Sequence, residues 1–284
     1  MEEGATMKAV TAVQSDVESN PAGRTSPDAS SSSLLDAEVF GQNNDGRRLA
    51  EMAYDEIRTR IITLELCPGE EFTESELTQV LQLGKTPIRE ALLRLRLEGM
   101  VEAQARSGYR VSPVTLKDAR DLCELRTLLE GEAARLVATR GQREYWELKP
   151  SSVVTPDVTS ESTFHSRIEA ERHFHETLGS ATGNSRLASN LSQVLGHVAR
   201  LWHLCFALDS RAQGAPLHDH TALLSALDNA DPSRACELVV EEARSAQVEI
   251  INAMLSSQSI ASANVDLREG PVHKFYLDIP RTQA

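Results

Sequence analysis

The chain reads as mainly α, in two parts: an N-terminal winged helix-turn-helix and a C-terminal all-helical antiparallel bundle. Three observations predict this. Apolar residues recur at three- and four-residue steps over most of residues 47–255, the period of amphipathic helices. The period changes to two only around Ser107-Gly108, over a stretch that accommodates one short hairpin. Aromatic residues make up only 4% of the 284, which disfavours an all-β sandwich, while 40% are hydrophobic and can build a helical core from Leu, Ala and Val.

Residues 1–45 contain the run "SNPAGRTSPDASSSSL" and show neither period, so they are read as a disordered tail. From Arg47 the pattern is helical, with Leu49, Ala53, Ile57, Ile61 and Leu64 on one face. The Pro-Gly turn in "CPGEEF" ends that helix. "TESE" then fits a capping box, with Thr73 as N-cap and Glu76 at the third helical position. Gly84 breaks this second helix. Thr86 is expected to cap a third, with Pro87 at the first helical position, where a missing N–H costs nothing. Val101, Ala103 and Ala105 alternate, as do Tyr109 and Val111, which gives the hairpin. These elements define a winged helix-turn-helix over 46–113.

Residues 114–255 are expected to form the bundle. Thr115 and Asp118 give another cap signature, and Leu122, Leu125, Leu129, Ala133, Leu136 and Val137 form a stripe ending near Gly141. Residues 142–160 read as a loop. Further helices are expected over 161–181, 185–208, 217–229 and 232–255, the last opened by Asp231-Pro232. Residues 256–284 read as a polar C-terminal tail.

Charge and cysteine content restrict the function. A net charge of −13 repels phosphate, so any nucleic-acid site must be local. The four cysteines are widely spaced without a CxxC, which fits reduced thiols in a cytoplasmic protein. No apolar run is long enough to span a membrane, and no apolar secretory segment is visible near residue 1.

The third helix has an unusual start. Helix N-termini favour acidic residues, yet Lys85 and Arg89 stand there. Between 85 and 110, six basic residues (Lys85, Arg89, Arg94, Arg96, Arg106, Arg110) face three acids (Glu90, Glu98, Glu102). Such a face is often merely solvated. Here it opens the second helix of a helix-turn-helix, the element that enters the DNA major groove by its N-terminal residues and can read guanine through Arg.

"PGEEFTESELTQVLQLGKTPIREALLRLRLEGMV" closely resembles the N-terminal domain of GntR-family bacterial transcription regulators, and "KTPIREALLRLRLEG" is its most specific part. "DARDLCELRTLLEGEAARLVATRG" resembles the first helix of the FadR-type effector domain called FCD. The resemblance covers roughly 47–255. It implies DNA contacts by Ser75, Lys85, Thr86 and Arg89 from the two helices, and by Arg106 and Gly108 from the wing. The chain departs from the usual pattern at Gly84, where Ser or Thr is common, at Lys85, where Arg is usual, and at Ser107, where the wing often has a second Gly.

In "EAERHFHETLGSATGN", Glu171 and His175 lie four apart on one helical face. His220 opens "HTALLSALDNADPSRA", and Glu242 follows on the next helix. This set resembles the FCD metal site, usually one Asp and three His, with Glu171 in place of the Asp and Glu242 in place of the last His. The resemblance implies a divalent metal ion, zinc first, with manganese or nickel as alternatives. Two carboxylates among the ligands favour such ions over softer ones. Read by itself, His175 fits a core histidine and the glutamates fit a solvated surface. His197, His203 and His218 are substitute candidates. Arg126 matches the family's pocket arginine for a small carboxylate effector; its spacing to Glu130 equally fits a salt bridge.

The expected function is a homodimeric, effector-controlled repressor that binds double-stranded operator DNA and touches no membrane. Two half-sites are needed because one recognition helix reads few base pairs. One alternative keeps the regulator and removes the metal, leaving a metal-free or degenerate effector pocket. A remote one is a metal-dependent helical-bundle enzyme, but HExxH, GxSxG, P-loop and dinucleotide motifs are all missing from the sequence.

Overall fold

A computed structural model describes residues 33–105, 108–140, 161–208 and 219–256, with backbone alone for 33–44 and 161–163. Arg106, His218, the 142–160 loop, most of the expected N-terminal tail and the C-terminal tail lie outside the described residues. The chain divides into two compact units, Met1–Asn44 and Asp45–Ala284. The expected winged module and bundle both belong to the second.

The winged module contains α1 (Ser33–Ile62), β1 (Glu71–Thr73), α2 (Glu74–Leu81), α3 (Lys85–Leu97), β2 (Val101–Gln104) and β3 (Gly108–Val111). Helix α1 starts well before the expected boundary at residue 45. Leu34, Leu35, Ala37 and Glu38 are good or tolerable helix formers, and the Asn43-Asn44-Asp45-Gly46 run lies inside the helix. Each such residue costs at most ~1 kcal/mol, which the flanking turns offset. The Thr73 cap is formed as expected: its side chain accepts from Glu76 N–H, and Glu76 accepts from Thr73 N–H at 2.7 Å.

Helix α3 starts two residues earlier than its sequence suggests. Gly84 is the extended N-cap residue, so Thr86 and Pro87 are the second and third helical residues. Proline is compatible there because the first four N–H groups of a helix have no internal partner. Gly99 ends the turn after α3 with φ of +75°, a left-handed conformation in which a side chain is strained.

The three strands form an antiparallel sheet in the order β1-β3-β2. Strand β1 is not evident in the sequence, where "CPGEEF" reads as a turn. It forms because Phe72 is buried and pairs with Tyr109, their rings stacked at 6.0 Å. Ala53, Ile57, Ile61, Ile88, Leu92 and Leu95 fill the core beneath it.

The bundle contains α4 (Leu116–Arg140), α5 (Glu161–Ala181), α6 (Ser185–Leu208), α7 (Thr221–Asp228) and α8 (Pro232–Ser256). Thr115 and Asp118 cap α4 reciprocally, each accepting from the other's backbone N–H. Helix α4 packs along α8, and α5 along α6. Two apolar clusters result, one around Ala134, Phe174, Leu178 and Leu223, the other around Cys123, Phe164, Val198 and Ile250. Among the described residues, no helix is long and apolar enough to cross a membrane.

Candidate nucleic-acid interface and metal centre

Ser75, Lys85, Thr86 and Arg89 are all exposed, the first on α2 and the others on α3. Helix α3 has no acid in its first turn and no side-chain cap, so nothing on the helix neutralises its positive end. That end can take a phosphate on its backbone N–H groups. Arg89 is not an unrestrained charge: its Nε donates to Glu74 Oε2 at 2.7 Å. Glu74 therefore positions Arg89 across the helix-turn-helix. No spacing rule reveals this pair, because its members sit on different helices. Gly108 opens β3 opposite Thr73 and Gln104, at the turn end of the hairpin. At the other end of α3, Arg94 lies over the Tyr54 ring at 3.5 Å, and Tyr54 donates to Glu98. Arg94 thus serves packing within the module.

The bundle brings three of the four expected metal ligands together. One ligand atom each from Glu171, His175 and His220 lie within 4.8 Å of one another. Glu171 Oε2 is 3.5 Å from His175 Nε2 and 3.3 Å from His220 Nε2. Both histidines are buried. Four-residue spacing on α5 places Glu171 and His175 on one face, while His220, immediately before α7, stacks on Phe174 at 3.7 Å.

Glu242 does not join this cluster. It lies against the far nitrogen of His220, with Oε2 3.3 Å from Nδ1. Glu130, on α4, takes the equivalent place behind His175, with Oε1 3.1 Å from Nδ1. Each imidazole therefore has a carboxylate at Nδ1 and directs Nε2 at Glu171. A carboxylate behind a histidine fixes its tautomer and increases its basicity as a metal ligand. The donor set and its support thus fit a divalent cation. Glu130 was not visible as a site residue in the sequence, where it reads as Arg126's helical partner.

Arg126 is 5% exposed and Glu130 fully buried. Arg126 Nε donates to Glu130 Oε1 at 2.8 Å, and its Nη2 is 3.3 Å from His175 Nε2. Arg126 thus forms the salt bridge expected from its spacing to Glu130 and also lines the cavity beside the cluster. Arg126, Glu171, His175, Leu195 and Trp202 line this cavity of about 30 Å³, room for an ion and a water or two at ~10–15 Å³ each.

The electrostatics reflect this crowding. Burial works against the Glu171 carboxylate, but the facing imidazoles of His175 and His220 hold its pKa well below the usual carboxylate range. Burial likewise works against charge on His220, yet Glu171 and Glu242 lift its pKa to about 9. Both shifts express one fact: two carboxylates hold positive charge between them.

Of the substitute histidines, His197 and His203 are engaged elsewhere, and His218 lies outside the described residues. His197 Nε2 is 2.8 Å from the Glu98 carbonyl oxygen. His203 stacks on His165 at 4.4 Å.

Comparison with known proteins places both parts. Residues 49–111 match the model described as "Bacterial regulatory proteins, gntR family", and residues 121–245 match the FCD domain. An uncharacterized HTH-type transcriptional regulator, BphR, of Paraburkholderia xenovorans is 28% identical over 68% of this chain and 81% of its own. The HTH-type transcriptional repressor GlaR of Escherichia coli is 27% identical over 66% of this chain and 88% of its own. The E. coli protein McbR/YncC has a similar fold, with a TM-score of 0.57 and 18% identity over 73% of this chain and 99% of that one.

Proposed function

Because this chain belongs to the bacterial gntR family of regulatory proteins and carries an FCD effector domain, we propose that it is a metal-assisted, ligand-controlled repressor of transcription. The convergence of Glu171, His175 and His220, with a carboxylate behind each imidazole, carries the metal part of this reading. A divalent ion, zinc by preference, would be held by these three side chains. Glu130 and Glu242 would orient the histidines. The ion supplies a Lewis-acidic position for a carboxylate, and Arg126 adds a fixed positive charge beside it. An organic acid fills more than the small space the cavity now offers, so its binding would press on the cavity walls.

Operator DNA is bound by the α3 N-terminus through Lys85, Thr86 and Arg89, with Ser75 on α2 and Arg106 and Gly108 in the wing. A homodimer sets two such helices on successive half-sites. The repressor assignment rests on relatives that carry that name.

The test is the divalent-metal content of untagged protein beside the His175→Ala/His220→Ala double variant. About one ion per chain, lost in the variant, is the expected result. Protein that takes up no zinc, manganese or nickel on incubation would eliminate the metal and leave the regulator with a metal-free pocket.

A further inference from the structure

Helix α6 has two working faces. Leu195, Val198, Ala199 and Trp202, at three- and four-residue steps, line the cavity beside Glu171 and His175. Ser192, Gly196 and Arg200, every fourth residue, form a different stripe with His197 alongside, and this stripe touches the DNA-binding module. Arg58 Nη2, on α1, donates to the Ser192 carbonyl at 3.1 Å. His197 Nε2 lies 2.8 Å from the Glu98 carbonyl after α3. Arg200 Nη2 donates to the Ser112 carbonyl after β3 at 2.6 Å.

A hydrogen-bonded path connects the cavity to the first of these contacts. Arg172 lines the cavity. Its Nη1 donates to Glu176 Oε1 at 2.7 Å, and the same oxygen accepts from Ser192 Oγ at 2.7 Å. The Ser192 carbonyl then receives Arg58. The path crosses from α5 to α6 to α1 through four residues.

These contacts resemble a releasable joint more than a permanent seam. Arg58 and Arg200 reach only backbone carbonyls, and the Nε of each is buried without a hydrogen-bond partner among the described residues. Arg200 is 2% exposed, and burial lowers its pKa to about 10. Asp118 attracts this guanidinium only from a distance, and a buried guanidinium without a carboxylate in contact is expensive to hold. Gly196 makes the joint sterically possible: a Cβ there would lie 2.1 Å from Arg58 Nη2.

We propose that α6 is the transmission element between the cavity and the DNA-binding module, with Arg172, Glu176, Ser192 and Arg58 as its relay and Gly196 as the gap that admits Arg58. A ligand that parts the cavity walls moves the Leu195–Trp202 face, the Ser192–Arg200 face moves with it, and the module's grip on the bundle changes. None of the relay residues is a metal ligand or a DNA contact, so they act as positioning residues. This inference rests on the reading of the cavity as the ligand site, but the test separates the two.

The experiment uses the full chain and a DNA duplex selected by the wild-type protein from a random pool. Two perturbations act on the cavity: zinc, and Ala199→Leu, which fills it from its own wall without any metal, with Ala199→Val as the milder replacement if the leucine unfolds the chain. Each is applied to wild type, Gly196→Ala and Arg58→Met. Gly196→Ala displaces the flexible end of Arg58 and increases helix propensity, so the fold should survive. In wild type, zinc and the filled cavity should each change DNA affinity by at least about fivefold. In both joint variants the change should shrink to less than about twofold, with zinc affinity retained in the absence of DNA. Undiminished shifts in Gly196→Ala and Arg58→Met would overturn the relay, as would a folded Ala199 variant with unaltered DNA affinity. If wild type binds no zinc, but Gly196→Ala abolishes the Ala199 effect, the metal reading fails and the relay stands. If zinc binds and its effect persists in the joint variants, the metal stands and the relay fails.

Discussion

The DNA-binding module and the helical bundle handle charge in opposite ways. Among the described residues, the polar and charged residues buried as a whole (Arg126, Glu130, His175, Thr182, Arg200, His203 and His220) lie in the bundle, while the module buries one charged side chain, Glu98, against the Tyr54 hydroxyl. Apart from that pair the module has an apolar core and carries most of its charges outside, on α2, α3 and the hairpin. The bundle places charges inside, where each demands a partner or a ligand. The difference teaches which part is built to present its charges on a surface and which to hold them inside. A surface reader benefits from a rigid apolar base, whereas an internal polar site makes a helix packing adjustable.

The largest effect expected from this contrast is in the bundle. Glu130→Ala leaves Arg126 buried without its carboxylate and removes the support behind His175. Stability should fall by ~3–5 kcal/mol, as breaking a buried pair typically does, measured by urea unfolding. A small loss would mean that water or Glu171 takes over the role of Glu130. In the module the equivalent injury is a cavity: Leu92→Ala should cost ~2–5 kcal/mol, seen in the same titration, with the Glu171–His175–His220 cluster unaffected.

A pH experiment sharpens the comparison. Burial, with charge repulsion from His165, lowers the His203 pKa to about 3. The unfolded chain binds that proton near pH 6.5, so between these values it holds more protons than the folded chain. The contribution of His203 to stability is complete above about pH 6.5 and is lost as pH falls toward 3. His203→Phe, which keeps an aromatic ring against Phe164, should flatten the acid limb of the thermal melting profile. An unchanged limb would assign acid sensitivity to other groups.

On the module, Arg89→Ala should reduce specific DNA affinity by ~1–3 kcal/mol, the scale of one side-chain contact to a guanine. Its melting temperature should hardly move, because the lost pair with Glu74 is exposed on the arginine side and such pairs contribute ~1 kcal/mol or less. A fluorescence anisotropy titration checks the first and calorimetry the second. The smallest effect is at Thr73→Ala, where loss of the α2 capping box should cost ~1 kcal/mol; the midpoint of urea unfolding measures it.

Much of the module was readable because its signals are local. The Thr73–Glu76 box, the stripe Ile88, Ala91, Leu92 and Leu95, and the alternation around Ser107-Gly108 each depend on neighbours within a few positions. Gly84 displaced Thr86 as the cap of α3 because a glycine's permissive backbone leaves no side-chain signature. Strand β1 was hidden because three residues carry too little period, and pairing with β3 alone creates it. In the bundle, Glu171 and His175 were legible from their four-residue spacing. Glu130 was not, since its second partner lies on another helix, and Glu242 proved to face the far nitrogen of His220, an orientation that no spacing encodes.

By itself the sequence determined the helical periods, the hairpin, the basic start of α3 and the residue types available for a metal, because helix and strand geometry repeat every few residues and can be read along the chain. Only the tertiary structure decided which atoms meet: Glu74 with Arg89, Glu130 with His175, Ser192 with Arg58 over the bare Gly196. Those meetings depend on the packing of helices distant in the chain, and on distances of an ångström or less that residue identity alone leaves open.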